Sequence, residues 1–348
     1  MITGYVYADG RIKAVSASAA RPPVDAIWID MLNPTAEEVA AIEAMLQIDV
    51  PTPEEMREIE VSSRLYSEDG ADFMTLTLPH GKHQTGVAHF APVTFILVSK
   101  KLITLRYSEP KSFEIYASKL CREPVVADMA LASVAEVEAG ISPARRTRTP
   151  RSEEIMLGLL EAVVDRVADL LEGTAVDLDA AAKEIFNASE NRTPTPTARY
   201  KEMLRHIGRC ADLASRTREG LATFDRLLPF AQLVFDRRKA PKELKTRIKA
   251  MARDIQSLND FAAFLNNKTS FLLDTTVGMI SIEQNAIIKI FSVAAVGFMP
   301  PTLIASIYGM NFTDMPELTW SFGYPAAILG MFISAILPLA FFRYKRWL

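Results

Sequence analysis

Cysteine is scarce: the 348 residues hold two, Cys121 and Cys210, far apart and in no CxxC pair. That argues against a disulfide framework or a zinc knuckle, and it fits a reducing compartment for the soluble part. An excess of positive charge is missing too. With 39 Lys and Arg against 42 Asp and Glu the net charge is −3, so no global field favours nucleic acid. The basic cluster in ISPARRTRTPRSEE (141–154) has no interleaved aromatics and reads as a solvated connecting loop. There is no GxxxxGK[ST] loop, no HExxH helix and no aspartate in a recognisable phosphoenzyme setting, so nothing suggests nucleotide-driven pumping or enzymatic hydrolysis. The opening residues, MITGYVYADGRIKAV, lack a basic segment followed by an apolar run, and no cleaved signal peptide is expected.

What the chain does have is concentrated at its end. No charged residue occurs from Ile290 to Phe312, and none from Leu318 to Phe342. Each run meets the roughly 20 residues that a helix needs to cross a hydrocarbon core of about 30 Å. The expectation is a membrane protein with two C-terminal spans. Arg343, Lys345 and Arg346 follow the second run, whereas Asp314 and Glu317 lie between the two. The positive-inside rule then puts the C-terminus in the cytoplasm, and two spans return the large N-terminal portion to the same side.

Residues 1–120 read as a cytoplasmic α/β domain. TGYVY, RIKAV, AIWID, DFMTLTL, VTFILV and LITLRY are strand candidates. Thr35–Glu38 and Thr52–Glu55 both fit a capping box that starts a helix, the second with Pro53 at the first helical position. Residues 121–240 read as a helical region, with long helices over about 153–188 and 198–236 expected to pair antiparallel. From 241 to 309 the only prolines after Pro241 are Pro300 and Pro301. A continuous helix of that length would be on the order of 100 Å long. It divides into a stalk (241–285) and a first transmembrane helix (286–310). An extracytoplasmic loop (311–322), a second transmembrane helix (323–342) and a basic tail (343–348) complete the expected organisation.

Steps of three and four residues along this rod pick out one face: Asp274, Gly278, Ser281, Asn285, Ile288, Ser292, Ala295, Met299, Thr302, Ser306 and Gly309. It is mostly small or weakly polar, while its flanks are bulky and apolar. Such a face is either a seam for tight helix packing or the wall of a pore lined by several copies. Two spans cannot enclose a water-filled path, so a pore would require a symmetric ring of subunits.

The stretch YGMNF, then MPEL, then WSFGYP, strongly resembles the CorA family of magnesium and cobalt transporters, and the likeness extends upstream through IEQNAIIKIFSV and PPTLIAS. The resemblance implies a homopentameric funnel in the bacterial inner membrane, with both termini cytoplasmic and the stalk helices continuing into the pore. It implies potential-driven uptake of magnesium, also of cobalt and nickel, with magnesium as both cargo and regulator and no other cofactor. Gly309-Met310-Asn311 would be the selectivity motif. A ring of Asn311 amide oxygens can accept hydrogen bonds from metal-bound water, which suits an ion that dehydrates reluctantly. Glu317 and Asp314 would concentrate cations at the outer mouth. Asp274, Asn285, Ile288, Met299 and Thr302 match pore-lining positions, and Lys289, Arg343, Lys345 and Arg346 a basic collar.

The resemblance thins at the regulatory sites between subunits. The stalk position that is acidic in the family falls on Ala250, leaving Asp254, Glu68 and Asp69 as weak candidates. His80, His83 and His89 sit in a strand-to-strand loop, where a metal site or plain exposure are both open. Two alternatives remain: a zinc transporter of the related ZntB branch, against which Met310 argues, and a membrane-anchored scaffold or sensor.

Overall fold

The computed structural model describes residues 1–81, 88–122, 149–190, 197–310, 315–316 and 320–345. It divides into two units, one of Met1–Glu184 with Met203–Leu272, the other of Ile185–Glu202 with Leu273–Leu348.

The first unit is built on a seven-stranded sheet: β1 (Ile2–Ala8), β2 (Arg11–Ala17), β3 (Ala26–Leu32), β4 (Leu65–Glu68), β5 (Ala71–His80), β6 (His89–Val98) and β7 (Lys101–Arg106), in the order β2-β1-β3-β7-β6-β5-β4. Three of its hairpins close through two-residue turns. In Asp9-Gly10 and Asp69-Gly70 both residues take positive φ, as does Ser99 in the third; the left-handed turn matches the twist of the strands it joins. Among the described residues the one parallel pair is β3 with β7, and it is why the element order is no simple βαβ repeat.

On one face, Ile29, Met31, Ile103 and Leu105 pack with Ile42 of α1 (Ala36–Leu46) and with Met56. Helix α1 starts where the Thr35 capping box forms: Thr35 Oγ1 accepts from the Glu38 amide, and Glu38 accepts from the Thr35 amide. The Thr52 box also closes, Glu55 accepting from the Thr52 amide at 2.8 Å. It opens only a 3₁₀ turn, Glu55–Arg57, not the helix expected there. The cap is a local device, and only Met56 of this turn is buried to sustain it. A second short helix, α2 (Val61–Arg64), leads into β4.

On the opposite face the β3–β7 register sets Asp30 beside Thr104. Arg106 grips Asp30 with two bonds, 2.9 and 2.7 Å. Thr104 donates to Asp30 at 2.7 Å and accepts from the Trp28 indole at 2.9 Å. Every charge of this buried pair is spoken for, which is what makes burial tolerable. Trp28 stacks on Tyr5, whose phenol burial, with Asp30 nearby, pushes up to about 12. Helix α3 (Lys111–Arg122) covers this face through Phe113 and Tyr116.

Three long helices come next: α4 (Ser152–Glu190), α5 (Thr197–Arg237) and α6 (Lys242–Tyr308). Gly158 of α4 admits the Tyr116 ring, which a Cβ there would overlap at 2.4 Å. Arg237 and Arg238 fasten the end of α5 to the sheet, both on Asp72, with Arg238 also donating to the carbonyls of Leu97 and Ser99. Arg247 pairs with Glu161 at 2.6 Å and Lys268 with Asp179 at 2.6 Å, so α6 runs parallel to α4. Asn259 donates to Asp225 and Lys245 pairs with Asp236, so α6 runs antiparallel to α5. The α4–α5 pair is therefore antiparallel, as expected from the sequence.

The second unit contains the rest of α6 and α7 (Gly323–Tyr344). Both helices are long and apolar enough to cross a membrane. The architecture expected from the sequence, an N-terminal α/β domain, long helices and two apolar C-terminal helices, is the one observed.

Candidate functional site

In the second unit no residue of α6 beyond Thr276 is buried among those described. Phe291 and Phe298 are 72% and 75% exposed, and so extensive an apolar surface needs lipid or other protein around it. The two faces of this stretch differ. A Cβ added at Gly297 would stand 3.8 Å from Leu339 of α7, and Ile290, Val293 and Pro301 line a groove against Ile328, Met331 and Ala335 of α7. With about 100° per residue, Ile288, Ala295, Met299, Thr302 and Ser306 lie within about 40° of the point opposite Gly297. The small and polar stripe therefore faces away from α7, and its members are exposed.

Two hydroxyls on this stripe are oriented by the helix itself. Thr302 donates to the Phe298 carbonyl at 2.7 Å, and Ser281 to that of Val277 at 3.1 Å. A hydroxyl whose proton is spent on its own backbone presents lone pairs outward as an acceptor. Metal-bound water, a strong donor, wants such acceptors. Pro300 and Pro301 have no N–H to give the carbonyls of Val296 and Gly297, which adds further acceptors at this level. On α7, Ser334 donates to Met331 O at 2.8 Å and so satisfies itself in an apolar setting.

Helix α6 ends at the glycine of the motif. The Gly309 amide reaches Ala305 O at 3.0 Å and Ser306 O at 3.2 Å, and Met310 N reaches Ile307 O at 3.2 Å. Gly309 is not in the left-handed region. Its importance here is room, since a Cβ would stand 3.2 Å from the Ala305 carbonyl oxygen. Met310 is exposed. Asn311, Asp314, Glu317 and Arg346 lie outside the described residues.

Asp274 and Asn285 are exposed on the stripe, toward the start of the second unit's part of α6. Lys289 flanks the groove against α7, and Arg343 and Lys345 are exposed at the far end of α7. Of the regulatory candidates, Asp254 is exposed on α6, and Glu68 and Asp69 sit at the β4–β5 hairpin tip. Asp69, with φ 49°, has a structural reason to be there. His80 and His89 are the facing residues that end β5 and begin β6, with ring centroids 5.9 Å apart; His83 lies outside the described residues. Burial and the neighbouring His89 lower the His80 pKa.

Residues 24–346 match the family described as CorA-like Mg2+ transporter protein. A protein from Wolinella succinogenes named Magnesium transport protein CorA is 33% identical over the full length of both chains. Its namesake from Escherichia coli K12 is 30% identical, again over both full lengths. Among solved structures, the complete CorA magnesium transporter of Methanocaldococcus jannaschii aligns over 100% of this chain and 99% of its own, with a TM-score of 0.73 at 15% identity. That last likeness speaks to the fold.

Proposed function

The chain belongs to the CorA-like Mg2+ transporter family, and from that premise we propose that it is a divalent cation channel for potential-driven uptake of magnesium, and also of cobalt and nickel. The observation that carries this reading is the acceptor-rich stripe of α6, turned away from α7 on an otherwise apolar helix. In lipid such a face needs company. Copies of the same face around a shared axis supply it and leave a water-holding path at the centre. A homopentamer is the reading taken from the family.

In this reading Asn311 forms the ring that holds the hydrated ion, next to Gly309 and Met310, with Glu317 and Asp314 outside it. Thr302, Asn285 and Asp274 offer oxygen acceptors along the path. Ile288 and Met299 narrow it, and apolar constrictions gate by dewetting. Lys289, Arg343, Lys345 and Arg346 form a positive collar that opposes cations unless the helices part. Closure is triggered by binding of intracellular magnesium, with Asp254, Glu68 and Asp69 as candidate ligands. The protein sits in the inner membrane with both termini cytoplasmic, as its charge distribution favours. The membrane potential drives entry: about 2.3 kcal/mol per charge per 100 mV, and twice that for a divalent ion. Transport of this kind needs no enzymatic step.

The test is magnesium entry into proteoliposomes loaded with a magnesium dye, under an inside-negative potential. Wild type should admit magnesium and Asn311→Ala should lose entry. Zinc entry that requires a proton gradient, without magnesium entry, would replace this reading with the ZntB-like one. No flux from folded, oligomeric protein would leave the scaffold reading.

A further inference from the structure

The geometry points to a transition-metal site in the first unit, formed by Asp177 of α4 with His206 and Cys210 of α5. His206 and Cys210 are four residues apart and share one helix face. Asp177 reaches them from the antiparallel neighbour, and the three ligand atoms lie within 4.8 Å of one another. All three residues belong to the same compact unit. In a tetrahedral zinc site, bonds of about 2.0–2.3 Å put ligand atoms about 3.3–3.8 Å apart. Closing to that distance asks little of this trio. Cys210 is 5% exposed and fixed by its surroundings, while half-buried His206 and exposed Asp177 are free to adjust. Asp177 is exposed, so water has access to the site as a fourth ligand.

The donor set decides which ions fit. Magnesium takes hard oxygen ligands and keeps its water, whereas imidazole and thiolate suit zinc, cobalt and nickel. The plain alternative is that Cys210 is a small hydrophobe packed in a helix seam. It does not account for an imidazole and a carboxylate converging on the same sulfur. The other thiol, Cys121, has no comparable cluster among the described residues. A metal here would staple α4 to α5, closing the segment between Asp177 and His206. Burial, and then the Asp177 carboxylate, push the Cys210 thiol up to about 11. Coordination breaks the S–H bond, forms the metal–sulfur bond and releases that proton to the buffer. This site is independent of the transport reading.

The experiment is a cobalt titration of the metal-stripped full chain in detergent with excess magnesium present. A near-ultraviolet thiolate-to-cobalt band should grow to one ion per chain. The band should vanish in Cys210→Ser and persist in Cys121→Ser. Asp177→Asn should weaken binding at least about tenfold and His206→Gln more. Cobalt held in a pore of oxygen ligands gives no thiolate band, so the two locations are distinguished. No band in wild type, a band that survives Cys210→Ser, or one lost in Cys121→Ser would overturn the site. Should Cys210→Ser fail to fold, the more exposed Asp177 and His206 positions decide: unchanged affinity in both overturns it.

Discussion

Helix α6 is one element with two kinds of surface. In its first part Leu244, Ile248, Met251, Ile255, Ala262, Leu265 and Leu272 recur at steps of three, four or seven and are all buried. In its second part the same spacing selects Asn285, Ser292, Ala295, Met299, Thr302 and Ser306, while Ile290, Phe291, Phe298 and Leu303 are exposed. The rule has inverted. In water the face that must find a partner is the apolar one. In hydrocarbon the apolar face is already at home, and the face needing partners carries the hydroxyls and amides.

Truncation should separate the two parts most sharply. Ile255→Ala, at a fully buried position, should cost about 2–5 kcal/mol of stability. Ile290→Ala, 66% exposed, should change the thermal midpoint in detergent little. Equal losses by thermal unfolding would break the comparison.

The polar face should respond in flux rather than stability. Thr302→Val keeps the shape and removes the acceptor that the back-bonded hydroxyl presents. Magnesium entry should fall about tenfold, equivalent to about 1.4 kcal/mol, with oligomeric state and unfolding midpoint unchanged. Unchanged flux in the liposome assay would remove Thr302 from the path.

Charge should matter less than apolar burial in the first part. Arg247 and Glu161 are bidentate but about 40% exposed. Glu161→Gln should cost about 0.2–1 kcal/mol, measured by denaturant unfolding, and the difference from wild type should shrink in high salt. The smallest effect is a pH dependence. Because His80 has a lowered folded pKa, the unfolded chain takes up its proton first. Stability is complete above the ordinary value of 6.5 and declines as pH falls toward the lowered one. His80→Gln should flatten that part of the profile of unfolding midpoint against pH.

The stripe of the second part was legible in the sequence because its pattern is periodic and long. The uncharged runs, the stripe and the two capping boxes are local facts. Features that depend on tertiary register were not legible. Strand β4 is four residues, LYSE, too short for a period to emerge. The Thr52 box gives the same signal as the Thr35 box, but only the latter leads into a helix that packs Ile42 on the sheet. The parallel β3–β7 pair joins strands about 70 residues apart, and with it comes the Asp30–Arg106 clasp. Asp177 and the His206–Cys210 pair are on separate helices. The i,i+4 spacing of His206 and Cys210 was the only local sign, and it is a weak one without the register of α4 against α5.

The central claim is that the stripe of α6 faces water while the opposite face meets α7. It is tested most directly with single cysteines in a chain carrying Cys121→Ser and Cys210→Ala. A membrane-impermeant, positively charged thiol reagent, applied during magnesium flux through proteoliposomes, should block Ser292→Cys, Ala295→Cys and Thr302→Cys. It should leave Ile290→Cys, Val293→Cys and Gly297→Cys conducting. Equal block on both faces, or block confined to the α7 side, would contradict the account.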